Sequence, residues 1–160
     1  MATKLLIDGY NFLWESSVYP NQALYQMEKG RQAVINWLVS KPILKNFEIY
    51  LVFDAHRTDH YSPSTNTERG IKVVFSARGQ TADELIRNMA DDYTVGAIVV
   101  SSDLEVFRHA EKKGCGVLGS REFERLVENP EDFQIDASRR RTKGKRKAVQ
   151  KFLGYSPLEE

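Results

Sequence analysis

Three short apolar runs in this chain each stop on an aspartate: Lys4–Asp8 (KLLID), Glu48–Asp54 (EIYLVFD) and Ala97–Asp103 (AIVVSSD). Apolar runs of this length predict buried strands. The Asp8-Gly9 pair predicts a tight turn straight after the first. Ile71–Phe75 (IKVVF) and Gly116–Leu118 (GVL) predict two further strands. Helices fill the intervals. Asn21 to about Ser40 carries Leu24, Met27, Ala33, Val34, Trp37 and Leu38, with Gly30 inside it and Pro42 marking its end. Thr81-Ala82-Asp83-Glu84 has the form of a capping box, Thr81 as N-cap and Glu84 three residues on, opening a helix to about Tyr93. Ser102 with Glu105 forms a second such pattern, for a helix through Lys113 that Gly114 stops. A further helix runs from Ser120 to about Glu128 and is broken by Asn129-Pro130.

The connections are polar. Trp14–Pro20 reads as a loop, and so does Arg57–Gly70 (RTDHYSPSTNTERG), just long enough to return a parallel strand without a helix. From Asp132 the apolar content is weak, leaving a docking segment around Phe133 and Ile135 and a short helix at Ala148–Leu153. Five strands alternating with helices predict an α/β three-layer sandwich with a mostly parallel sheet. In such a sheet the strand ends line one edge, and ligands gather where the strand order reverses. The pattern therefore predicts a single acidic cleft. Asp83 reaches the edge that holds Asp8 only if the Ile71–Phe75 strand runs parallel to the first.

Composition narrows the class. At 160 residues, 41% hydrophobic and 28% charged, the chain fits one folded domain and excludes wholesale disorder. No apolar run approaches the ~20 residues of a membrane span, and Met1–Ile7 is too short for a signal peptide, so the expectation is a cytoplasmic protein without a membrane partner. The single cysteine, Cys115, excludes a disulfide framework and a Cys-based zinc site, and its setting (KKGCGVLG) reads as a small buried residue. His56, His60 and His109 are scattered; only His56 falls near the proposed edge, and no nucleophilic triad emerges.

Charge is segregated. Arg139–Lys147 (RRRTKGKRK) holds seven basic residues and no acid, leaving 16 basic against 22 acidic groups, a net −6, for the rest of the chain. This divides the molecule into a domain over residues 1–130 and a basic extension over 131–160, packing on the domain or trailing from it. A run of this kind suits a phosphate backbone; a solvated tail is the competing reading.

Aspartates gathered at one edge repel, and each holds its proton unless a cation neutralises them. Oxygen donors without cysteine or clustered histidine suit a hard ion, Mg²⁺ or Mn²⁺. Such ions activate water and stabilise charge developing on a phosphate, which points to phosphodiester hydrolysis. Asp8, Asp83 and Asp103 are the candidate ligands and catalytic groups. Asn11 is a candidate partner of Asp8 or of a metal-bound water, with Gly9 allowing close backbone approach; Asp54, Glu84 and Ser102 are supporting candidates, and Ser101 and Ser102 are candidate phosphate contacts. The competing reading makes the aspartates turn and cap residues, Asn11 a helix-entry residue, and Glu84 and Ser102 caps alone.

Four motifs, IDGYN at Ile7–Asn11, VFDAH at Val52–His56, TADELI at Thr81–Ile86 and SSD at Ser101–Asp103, resemble the YacP-like NYN domains, a branch of the PIN-like nucleases. The resemblance covers about Lys4–Leu126 and extends loosely into the basic segment. It implies a PIN-like, Rossmannoid fold whose five strands stand in the order 3-2-1-4-5, and a metal-dependent endoribonuclease with its acidic site on Asp8, Asp83 and Asp103, supported by Asn11 and Asp54. It also implies single-stranded RNA as substrate, extending to messenger RNA on the ribosome.

The rival function is a non-catalytic RNA- or ribosome-binding module that uses Arg139, Arg140, Arg141, Lys143, Lys145, Arg146 and Lys147. A phosphoacceptor receiver domain fits poorly, since the first strand supplies one acid and the fifth ends in Gly119-Ser120 without a lysine. A haloacid-dehalogenase-type phosphatase would want an aspartate where Tyr10 stands. No GxGxxG follows the first strand, so dinucleotide binding lacks support.

Overall fold

Leu5, Leu6 and Ile7 are wholly buried in β1 (Lys4–Asp8), the strand around which the sheet is laid. The structure is a computed structural model describing residues 2–19, 27–55, 60–131 and 141–154. β1 pairs in parallel with β2 (Glu48–Phe53) on one side and β5 (Ala97–Val100) on the other. β4 (Ile71–Phe75) extends the sheet in parallel beyond β2, and β6 (Gly116–Leu118) beyond β5. The five predicted strands therefore stand in the order 3-2-1-4-5.

A sixth strand, β3 (Ser64–Glu68), is added antiparallel to β4 at the outer edge, inside the segment read as a loop. Its sequence, STNTE, is exposed and has no apolar alternation, so the hydrophobic pattern is blind to it. Backbone pairing carries it instead. Arg69 (φ 52°) and Gly70 (φ 86°) make the two-residue turn that matches the twist of a hairpin. Polar side chains on this open edge also discourage pairing with a second chain.

Alternate residues of β1 feed two cores. Leu5 and Ile7 pack with Phe12, Val34, Leu38 and Phe123 of α1 (Gly9–Glu15), α2 (Met27–Val39) and α5 (Ser120–Glu128). Leu6 packs with Leu85, Ile86, Ala90 and Val106 of α3 (Ala82–Tyr93) and α4 (Leu104–Lys112). Both faces are covered, which is why the strands read as continuous apolar runs. Full burial of a side chain such as Phe12 contributes about 1.5–3 kcal/mol.

Helix α1 corrects the expected turn and loop after β1. The chain passes from Asp8 directly into a helix, and Trp14 lies inside it. Phe12 drives this, reaching the core between Trp37 and Phe123 at ring distances of 5.3 and 5.6 Å. Gly9 makes the junction possible, since a Cβ there would lie 2.3 Å from a ring carbon of Phe53. The α3 box forms as expected, Glu84 N donating to Thr81 Oγ1 at 3.1 Å and Thr81 N to Glu84 at 3.3 Å. At α4 the cap is Asp103, one residue later than the expected Ser102: its Oδ1 accepts from Glu105 N at 2.9 Å and Val106 N at 3.1 Å.

The last helix, α6 (Lys143–Leu153), starts five residues before the predicted Ala148 because Thr142 caps it, accepting from Lys145 N at 3.2 Å. Gly144 lets it close on Val117 and Glu111, while Ala148, Val149 and Phe152 join the core on the other side, so α6 crosses the outer edge of β6. The predicted helix before Met27, with Leu24, and the Phe133 and Ile135 segment lie outside the described residues. His56, Arg139 and Arg140 also lie outside them.

Gly9→Ala is expected to destabilise the protein by about 1 to 3 kcal/mol through overpacking against Phe53, lowering the thermal midpoint by roughly 2 to 12 °C. Thermal unfolding followed by circular dichroism measures this; an unchanged midpoint would show that the junction has room the packing denies.

Candidate active site

Because β1, β2 and β5 run parallel, their ends bring Asp8, Asp54 and the Ser101–Asp103 turn to one edge. The register pairs Ile7 with Val100 and Asp8 with Val52, so Asp8 stands beside Ser101 and two places short of Asp54. Asp83 arrives from the first turn of α3, which follows β4, parallel to its neighbour as that placement required.

Asp8 is only 6% exposed, and its Oδ2 accepts from Ser101 Oγ at 2.9 Å. Ser101 is itself buried and also accepts from Asp103 N at 3.1 Å, so a single hydroxyl ties two of the candidate ligands together. Burial pushes the Asp8 carboxyl up from 3.8 to about 6; the Ser101 bond opposes this, and the charges of Asp83, Asp103 and Asp54 add to it. Asp83 is also raised, by burial first, then by the charge of Asp103 and a hydrogen bond with it, with Arg87 opposing. The four aspartates feel one another as a unit.

Asp54 has a structural task as well. Its Oδ1 accepts from Ala82 N at 2.5 Å, tethering the end of β2 to the first turn of α3 beside Asp83. Glu84 is engaged in the cap of α3. Asn11 does not bond Asp8: its Oδ1 accepts from Ser102 N at 2.9 Å and Ser120 Oγ at 2.6 Å, joining α1, the β5–α4 turn and α5. Ser102 Oγ accepts from Ser120 N at 3.3 Å, which closes this bracket.

Sequence reasoning missed Ser120 and Arg87. Ser120 stands at the end of the shortest strand with no motif around it. Arg87 had a signal, since it lies four residues after Asp83 on the same helical face; its NH1 is 3.7 Å from Glu105. Of the basic run, Lys145 lies 2.9 Å from Glu122 and over the Phe107 ring. Two cavities, about 390 Å³ and about 740 Å³, contain none of the four aspartates; both lie towards the other end of the strands.

The donor set fits a hard divalent cation: four carboxylates, two of them raised towards the protonated form by burial first and then by their neighbours' charge. It is not a finished cage. Among the described residues no three His, Cys, Asp or Glu side chains are placed to hold an ion as they stand.

Comparison with known proteins follows from this geometry. The profile of the YacP-like NYN domain matches residues 5–160. The crystal structure of Rae1 (YacP) from Bacillus subtilis superposes with a TM-score of 0.61 at 24% identity, covering 97% of this chain and 90% of that one. A single-substitution mutant of the same protein gives a TM-score of 0.62 at 22% identity, covering 98% and 94%. No curated protein matches by sequence.

The folded state holds the Asp8 proton more tightly than the unfolded chain. Its contribution to stability is therefore fully present below pH 3.8 and is lost as pH rises through about 6. Above that the ionised, metal-free site carries a penalty of about 3 kcal/mol. Asp8→Asn in EDTA at pH 8 is expected to raise the unfolding midpoint, and to lose that advantage near pH 4. A variant less stable than wild type at pH 8 would show that the carboxylate is not the strained group.

Proposed function

Since the chain belongs to the YacP-like NYN domain family, a branch of the PIN-like nucleases, we propose that it is a metal-dependent endoribonuclease acting on single-stranded RNA. The observation that carries this reading is the gathering of Asp8, Asp54, Asp83 and Asp103 at one edge of the sheet, where burial and then the neighbouring carboxylates raise Asp8 and Asp83. Asp8, Asp83 and Asp103 hold Mg²⁺ or Mn²⁺ in this proposal. When bound, such an ion supplies Lewis-acid stabilisation of the phosphodiester and lowers the pKa of water.

The chain's own residues do the positioning. Ser101 sets the Asp8 rotamer and, through Asp103 N, the start of α4. Asp103 keeps one oxygen on the helix cap, leaving the other for the cleft. Asp54 holds the first turn of α3 so that Asp83 faces the same edge. Asn11, Ser102 and Ser120 brace the opposite wall. Glu84 contributes through the cap. Residues 131–160 are proposed as a retaining extension, with Arg139, Arg140, Arg141, Lys143, Arg146 and Lys147 meeting the RNA backbone; Lys145, expected among them, is paired with Glu122 and serves the fold instead. The finer proposal is cytoplasmic messenger RNA engaged by the ribosome. No helix among the described residues is long and apolar enough to cross a membrane.

A second reading, an RNA- or ribosome-binding module without catalysis, draws on the absence of a ready cage among the described residues. The two separate in one assay: a long unstructured RNA with Mn²⁺ or Mg²⁺, with EDTA, and with translating ribosomes. Asp8→Asn and Asp103→Asn are expected to cut at least about 100-fold more slowly, a loss of about 2.7 kcal/mol of transition-state stabilisation. Asparagine still caps α4, so Asp103→Asn tests the charge and not the helix. RNA binding with no cleavage in any condition would favour the module.

A further inference from the structure

The groove of about 740 Å³ lies between α6 and the turn from α4 into β6, lined by Val95, Gly114, Lys112, Lys143, Arg146 and Lys147. Val95 precedes β5, and Gly114 precedes β6, so the groove opens at the start of these strands. The aspartates stand at their ends. With β5 four residues long, the two are separated along the strand direction by at least about 13 Å.

The polar atoms that would normally spend these cations are taken. Glu111, the acid of the groove, accepts from Gly144 N at 3.0 Å, and Lys147 Nζ donates to the Gly114 carbonyl at the end of α4, at 2.5 Å. Burial, then Lys151 and Lys143, hold the Lys147 ammonium below its usual value. Lys112, Lys143 and Arg146 remain exposed, and none is ion-paired with an acid among the described residues. Lys145, by contrast, is tied to Glu122 and faces away from the groove. α6 thus sorts the basic run into Lys145, tied to an acid, and Lys143 and Arg146, which pair with no acid among the described residues although Arg146 Nη1 donates to the Arg141 carbonyl at 2.9 Å; Lys112 of α4, outside the run, joins the second set.

We propose that this groove binds the phosphate backbone of single-stranded RNA at a second site, on the opposite edge of the sheet from the aspartates. The proposal rests on the nuclease reading for its ligand and extends it. An acidic cleavage edge repels a polyanion, and a separate cationic groove offsets that repulsion without neutralising the metal ligands. The substrate class becomes RNA long enough to occupy both edges; a short oligonucleotide meets the aspartates alone and gains nothing from the groove.

The test uses full-length protein carrying Lys112→Ala, Lys143→Ala and Arg146→Ala together, against a control with Lys29→Ala, Lys45→Ala and Arg108→Ala, also exposed cations. Binding of a long oligouridylate is measured by fluorescence anisotropy in EDTA across a salt series, so the readout is independent of cleavage. The groove variant is expected to lose about 2 from the slope of log K against log salt, at about 0.7 per single-strand contact, while the control keeps the wild-type slope. With Mn²⁺, KM for long RNA is expected to rise about tenfold with kcat unchanged, and a substrate of about 4 nucleotides, a minimal single-strand site, to be cut as by wild type. Equal slopes in groove variant and control would overturn the proposal. So would displacement of the RNA by polyglutamate at equal charge, which would make the groove a site for acidic protein. Loss of cleavage with the slope difference intact would count against the nuclease and leave the groove standing.

Discussion

Parallel pairing of β1 with β2 and β5 is the constraint on which the rest of the molecule depends. A parallel sheet covered on both faces leaves polar groups no place but the strand ends, and uniform direction sends all those ends the same way. Asp8, Asp54 and the Ser101–Asp103 turn meet because of it, and β4 delivers α3, with Asp83, to the same edge. Had β4 paired antiparallel to β2, Asp83 would lie at the far side of the molecule.

Holding the carboxylates there is costly to the apo fold, and the structure shows how the cost is met locally. Three of the four aspartates have work that needs no ion: Asp8 receives the Ser101 hydroxyl, Asp54 a backbone amide of α3, Asp103 two amides of α4. Turn or cap duty and ligand duty are thus not alternatives. One oxygen of such a carboxylate serves the fold, and that duty does not exclude a ligand role for its partner oxygen. Caps at helix N-termini favour negative charge, so the helices offset part of the repulsion that the cluster creates.

What the hydrophobic pattern conveyed depended on burial. Five strands and the helices α3, α4 and α5 were legible to within a residue or two because their apolar positions are the core itself. β3 was not, since STNTE buries nothing and exists through backbone pairing and the turn at Arg69-Gly70. Helix α1 was hidden by Asp-Gly, which local preference reads as a turn; the long-range docking of Phe12 against Trp37 and Phe123 overrides that preference. At the site the acids were legible as strand-end residues. The Asn11–Ser102–Ser120 bracket was not, because it joins residues more than ninety positions apart.

The stacking of Phe47 on Phe152, 4.5 Å between centroids, ties the last helix to the segment just before β2, more than a hundred positions away. β6 is the outermost strand, and its free side stays bare until α6 is synthesised and laid across it. The acidic edge is built from β1, β2, β5 and α3 and does not include α6, so the cover on β6 and the site are separate parts of the fold. A chain lacking Lys143–Leu153 would leave that side of β6 uncovered and open to pairing with a neighbour.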